Sequence, residues 1–262
     1  MIAIQTDFQM ELQEHYIQVS TQPAVEIKVL EGGTPDAETT IVFLHGFGGW
    51  ASHWTNQFEC FEDSSRNMAI ELRGHSGSDK PPGKYEINTF LDDFEIIFEE
   101  LEVKKPFILV GHSFGALLAS EYALKHPAEV EQLILFNPSI KYSVGLARQI
   151  LLAIPNFIFD AVVDLLNRIR IAYLAPSYVL KSIYWNALHG WKPDVYETLK
   201  IPTLIFIPLS DPVFSRRNME GVGDAIENSQ TILLPTRSHM TMIQQAPTVN
   251  REMAEFVGLP SC

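Results

Sequence analysis

The chain has 262 residues, 46% of them hydrophobic and 19% charged, with a formal net charge of −13. That length and composition fit one large α/β domain with a true core and room for an inserted subdomain. A surface this acidic repels phosphate backbones, which sets nucleic acid aside as a partner.

The opening residues MIAIQTDFQMELQEH carry no basic region followed by an apolar run, so they do not read as a signal peptide. YIQVST and AVEIKVLEGG are short β-type runs separated by Gln22-Pro23, and predict an antiparallel pair. TIVFLHG is a continuous apolar run ending in glycine, the pattern of a strand buried on both faces. HWTNQFECF is helix-like, and NMAIELRGHSGSDKPP reads as a buried strand entering a loop rich in Gly, Ser and Pro. INTFLDDFEIIFEELEV places Phe90, Leu91, Phe94, Ile97, Phe98 and Leu101 on one helical face, with Asn88 in position to cap it. PFILVG, ALLASEYALKHP and VEQLILFNPS continue as strand, helix, strand.

The alternation then pauses. Residues 139–198 hold no convincing strand, and IFDAVVDLLNRI puts Ile158, Ala161, Val162, Leu165 and Ile169 on one face with Asp160, Asp164 and Arg168 opposite. The segment also carries Tyr173, Tyr178, Tyr184, Trp185 and Trp191, and reads as a helical insertion, or cap. Its most apolar part, 145–166, is broken by Arg148, Pro155, Asp160 and Asp164, so no membrane span is expected. Strand-helix alternation resumes with PTLIFIP, a helix over 214–226, the strand QTILLP and a final helix near 244–257. Strands alternating with helices predict a mostly parallel eight-stranded sheet flanked by helices. The core domain is 1–138 with 199–262, and the cap is 139–198.

Cys60 and Cys262 make no disulfide framework in a chain this long and fit a reducing compartment, or indifference to redox conditions. A soluble, cytoplasmic protein is the expectation. No Cys/His cluster has metal-ligand spacing, and GFGGWASHW lacks the third glycine of a dinucleotide fingerprint, so neither metal nor organic cofactor is expected.

Chemistry concentrates at FILVGHSFGALLA. A Gly-x-Ser-x-Gly pentapeptide alone arises in about one chain in ten of this length. Its setting is more specific: a strand, a tight turn flanked by Gly111 and Gly115, then a helix whose Ala116, Ala119, Ser120 and Ala123 give it a narrow face. With HGFGG, ELRGHSGSDKP, GHSFG and SHMTMIQQAPTVN in this order, the sequence resembles the α/β-hydrolase family from about residue 15 to 257, and within it the serine hydrolases that carry a helical lid. The resemblance implies that Ser113 is a nucleophile on a strand-to-helix elbow. A serine hydroxyl needs a base to take its proton. The family places that base after the last strand, which here is His239. Ser238 stands where relatives have glycine, Gln244 where they have an acid, and Pro247 falls one place late.

The third member must orient the imidazole and lie between Ser113 and His239 in the chain. Asp160, Asp164, Asp194, Asp211 and Asp224 all do, but only Asp211 closely follows a buried strand. Pro208 stands where relatives have glycine, and Asn137 occupies the strand end at which some relatives carry the acid. The resemblance further implies an oxyanion hole built from the backbone N–H groups of Phe47 and Phe114, and gives His75 and Asp79 a structural role. It implies a hydrolase for carboxylic esters or related acyl compounds with an apolar group, with no cofactor. Rivals on the same residues are carbon–carbon hydrolysis, acyl transfer to an acceptor other than water, and a ligand-binding receptor with a slow site.

Overall fold

A computed structural model describes residues 12–142 and 175–262, together with 155, 156, 158, 160 and 161. Eight strands form one sheet: β1 (Gln13–Thr21), β2 (Ala24–Gly33), β3 (Thr40–Leu44), β4 (Arg66–Ile70), β5 (Phe107–His112), β6 (Val130–Phe136), β7 (Thr203–Pro208) and β8 (Ser229–Leu234), in the order β1-β2-β4-β3-β5-β6-β7-β8. β1 and β2 run antiparallel to their neighbours, and β4, β3, β5, β6, β7 and β8 are mutually parallel.

The all-apolar central runs are explained by cover on both sides. Successive strand side chains point to opposite faces. Val42, Leu44, Phe107 and Leu109 therefore enter one core, and Ile41, Phe43, Ile108 and Val110 enter the other. Helices α2 (Ile87–Glu100) and α3 (Phe114–Lys125) cover the first face. α1 (Thr55–Cys60) and the last helix cover the second. α2 buries Phe90, Leu91, Phe94, Ile97 and Phe98 as its spacing predicts. Its cap differs from expectation: Asn88 lies inside the first turn, Glu86 is the N-cap residue, and no side chain caps the helix.

In the insertion, α4 (Ser177–Ile183) runs into a single π-type turn, Tyr184–Leu188, and α5 (Asp194–Thr198) follows. No strand occurs among the described residues of 139–198. Val179, Leu180, Ile183, Val195 and Tyr196 join the core on the α2/α3 face of the sheet, rather than a separate small core. Docking is also polar. Tyr178 donates to the Lys80 carbonyl, Ser182 Oγ donates to the Gly83 carbonyl at 2.9 Å, and Trp191 Nε1 donates to Glu121 of α3 at 2.6 Å. The IFDAVVDLLNRI helix lies largely outside the described residues, as do Asp164 and Tyr173. Where it is described, Ile158 is 46% exposed and Asp160 accepts the Ser177 N–H at 2.8 Å. Of the apolar face predicted there, only Ile158 and Ala161 are described, and both are exposed.

After β7 come α6 (Arg216–Ala225), capped by Ser215 accepting the Asn218 N–H, then α7 (Thr241–Gln244) and α8 (Ala246–Val257). α8 ends at Gly258, whose φ of 73° is the left-handed helix stop that glycine favours. The tail beyond it returns to α1 through a Cys60–Cys262 disulfide. A single cross-link is still no disulfide framework, but the sequence did not mark these two cysteines as a pair. Spacing of 202 residues hides the pair in sequence, and only the packing of α8 beside α1 brings the two together.

Candidate active site

The chain leaves β5 at His112 and enters α3 at Phe114, with Ser113 alone between them. Ser113 has φ 53° and ψ −110°, a backbone state that costs a non-glycine residue roughly 1–3 kcal/mol. Its own backbone holds it there. The Ser113 N–H donates to Phe136 O at 2.9 Å, and its carbonyl accepts from the N–H of Ala116 at 3.0 Å and of Leu117 at 3.2 Å. The Tyr142 hydroxyl donates to the same carbonyl at 3.0 Å. Gly115 lets the elbow cross β3: a Cβ there would lie 2.4 Å from Leu44 O and 2.5 Å from His45 O.

His239 Nδ1 lies 2.7 Å from Asp211 Oδ2, with the Asp211 side chain fully buried. A carboxylate accepts, so Nδ1 carries the proton and Nε2 is left as the basic nitrogen. Asp211 Oδ1 takes the N–H groups of Val213 at 2.6 Å and Phe214 at 3.0 Å, an Asx-type turn. Burial alone would raise the Asp211 carboxyl. The hydrogen bond and charge of His239, then the Phe214 and Val213 N–H groups, outweigh it and hold the group at about 2. Pro208 does not disturb this turn. It ends β7 in register with Leu234, and Leu209 N–H donates to Leu234 O at 3.0 Å.

The departures around His239 are hydrogen-bonded into its loop. Ser238 Oγ accepts the Met240 N–H at 3.0 Å, and Gln244 Oε1 accepts the Thr236 hydroxyl at 3.3 Å. Asn137 serves as a donor where some relatives have the acid. It sits at φ 49°, fully buried, and its Nδ2 donates to Asp211 Oδ2 at 2.7 Å while its Oδ1 accepts the Thr241 hydroxyl at 2.6 Å. Sequence reasoning marked the position but not this role. The Asn-Pro step directly after a buried strand was the available signal.

The Gly46–Gly49 loop is set by His45. Its Nε2 accepts the Leu72 N–H at 3.0 Å, so Nδ1 must be the protonated nitrogen, and it donates to Gly46 O at 2.8 Å. Gly49 N–H donates to the same oxygen at 2.9 Å. In a planar trans peptide the Phe47 N–H then points away from that carbonyl and from the His45 ring. Phe114 N–H, at the first position of α3, is one of the four donors a helix leaves without an intrahelical acceptor. The RGHSGSDKP loop braces the arrangement from outside. Arg73 forms a two-pronged ion pair with Asp93, Asp79 accepts Glu26 N–H at 2.8 Å, and the His75 ring lies edge-on to His45 and Phe47.

Ser113, His239 and Phe47 line one open cleft of about 720 Å³. Trp50, His53, Asn56, Met240 and Ile243 also line it. Among the described residues, its lining includes no Asp, Glu, Lys or Arg. Burial pushes His53 down to about 4, and pushes His112 well below the ordinary imidazole range, so both are neutral near pH 7. No described residue of 139–198 is among the lining, and most of the cap that sequence predicts lies outside the described residues. Among the described residues, no group of three or more His, Cys, Asp or Glu is arranged to hold a metal ion. No described helix is long and apolar enough to cross a membrane. Asp160, Asp194 and Asp224 are not part of the cleft lining.

Residues 39–179 match the family described as the alpha/beta hydrolase fold. The chain belongs to that family. A Bacillus subtilis (strain 168) protein with the provisional name 2-succinyl-6-hydroxy-2,4-cyclohexadiene-1-carboxylate synthase is 25% identical, over 92% of this chain and 98% of its own. An Arabidopsis thaliana 1-acylglycerol-3-phosphate O-acyltransferase is 36% identical over 101 residues, 37% of this chain and 24% of that protein, so the match spans about a quarter of its length. An Exiguobacterium antarcticum esterase superposes with a TM-score of 0.79 at 19% identity, covering 94% of this chain and 100% of that one.

Proposed function

We propose that the protein is a serine hydrolase acting on uncharged carboxylic esters or related acyl compounds. Ser113 Oγ attacks the acyl carbon, and His239 Nε2 takes the hydroxyl proton and passes it to the leaving group. Asp211 holds His239 in the Nδ1–H tautomer and stabilises its cationic form. The N–H groups of Phe47 and Phe114 receive the developing oxyanion, a contribution of several kcal/mol in such sites. Water then frees the acyl group from Ser113. No metal or cofactor takes part, and residues 139–198 act as the helical cap over the site.

The observation that carries this reading is the Asp211–His239 hydrogen bond, 2.7 Å long, in the same cleft as a serine held at φ 53°. The absence of charged side chains among the cleft's described lining supports an uncharged substrate, since a carboxylate or phosphate there would lose hydration without a counter-charge. The Bacillus relative is named for a carboxylate, and the Arabidopsis relative for a phosphate ester. Neither group finds a cationic partner among these lining residues.

A fluorophosphonate probe and a series of nitrophenyl esters test the reading together. Labelling at Ser113 is expected, with turnover higher for short-to-medium aliphatic acyl groups than for anionic ones. Ser113→Ala should lose both labelling and turnover. Full activity in that variant sinks the assignment, and a preference for anionic acyl groups sinks the substrate class.

A further inference from the structure

His112, the residue before the elbow serine, touches all three parts of the site. It ends β5, so its backbone is continuous with Ser113. Its Nε2 lies 2.8 Å from the carbonyl oxygen of His239. A carbonyl only accepts, so Nε2–H is the donor, and the ring is fixed in one tautomer. The ring centroid is 4.7 Å from that of His239. On its other edge the ring closes against the Gly46 backbone, where an added Cβ would come within 2.8 Å of His112 Nδ1. His112 is 3% exposed.

We propose that His112 is a positioning residue that fixes the His239 loop and the Gly46–Phe47 loop relative to the Ser113 elbow. The proposal rests on the reading of Ser113 and His239 given above. The three segments come from distant parts of the chain, after β3, β5 and β8, and no peptide bond fixes their spacing. One imidazole supplies that spacing: a hydrogen bond on one edge, a backbone contact on the other, and a covalent neighbour in the nucleophile. Reacting groups misplaced by about 1 Å cost up to about 100-fold in rate, so loss of this brace reaches kcat before it reaches substrate binding.

Chain length separates the brace from mere space-filling. A glutamine at 112 extends its amide nitrogen to about where Nε2 lies, whereas an asparagine reaches only about as far as Nδ1. His112→Gln, His112→Asn and His112→Leu are compared with the parent for kcat and KM on a nitrophenyl ester, fluorophosphonate labelling rate at Ser113, and Tm. His112→Leu and His112→Asn should lose about 10- to 100-fold in kcat. KM should change only a few-fold, and labelling should slow in parallel. His112→Gln should recover most of the loss. If His112→Leu does not fold, the glutamine and asparagine pair decides. Equal impairment in that pair, or kcat losses that merely follow Tm, overturns the proposal. A parent labelled at Ser113 with an unresponsive His112 series removes this inference alone. A parent that is not labelled removes the active-site reading with it.

Discussion

Asp211 carries the most chemistry per atom in the site. Its two oxygens take the ring N–H of His239, the amide of Asn137 and two backbone N–H groups. A carboxyl held at about 2, against about 3.9 in an unfolded chain, stabilises the fold fully above pH 3.9. That contribution disappears as pH falls through about 2. Urea midpoints of the parent should therefore drop between pH 4 and pH 2, and Asp211→Asn, with no carboxylate to protonate, should drop less. Parallel curves over that window would contradict this account. The other acids held low, such as Glu14 and Glu95, are the same in both proteins and cancel in the comparison. Sequence marks Ser113, Asp211 and His239 as candidate positions, through the predicted strand each follows and the family resemblance of the motifs around them. Their neighbours were not. Asn137, Thr241 and His112 act through bonds between residues 74 to 127 positions apart, and nothing local in Asn-Pro or Gly-His marks the partner.

At the scale of elements, the site depends on how closely α3 crosses the end of β3. Gly115 permits it, facing two backbone carbonyl oxygens that cannot rotate away. Gly115→Ala should push the elbow off the Gly46–Phe47 loop and destabilise the fold by about 1–3 kcal/mol, the usual cost of overpacking. Activity should fall by more than the stability loss explains, because the proposed oxyanion donors, Phe47 and Phe114, lie on the two segments being separated. Denaturant titration beside kcat checks both, and a variant of parental stability and rate would show that the crossing has slack. Strands and helices of the core were readable from hydrophobic period alone, since both sheet faces are covered and the buried runs are uninterrupted. Helix ends were less readable. Asn88 has the right chemistry for a cap but sits one residue inside the helix, and the helix read near 244–257 starts at Ala246, after the separate turn α7. In the described part of 139–198 the helices were legible but their packing was not. An apolar residue there fits a private core, a substrate wall or the main core equally well, and Val179, Ile183 and Tyr196 took the last.

Across the whole molecule, the wall of the cleft formed by residues near 50 and 240 is tied together from behind. Gln57 of α1 donates to Met242 O at 3.1 Å and to Asn250 Oδ1 at 2.8 Å, and Asn250 Nδ2 donates to Asn56 O at 2.9 Å. Cys60–Cys262 closes the same seam covalently, across 202 residues of sequence. Cross-linking so long a loop restricts the unfolded chain, and removing such a bond typically costs 2–4 kcal/mol. Cys262→Ser should lose about that much in urea titration without reductant, and the parent with reductant should fall to the same value. The hydrogen bonds of Gln57 and Asn250 remain in the variant, so kcat should change little at temperatures well below unfolding. A thiol reagent should find no reactive cysteine in the native, unreduced parent. Two reactive thiols, with a stability that reductant does not alter, would dissolve the covalent seam and leave the hydrogen bonds and the apolar packing of Phe58 with Val249 and Met253 to hold α1 to the C-terminal helix.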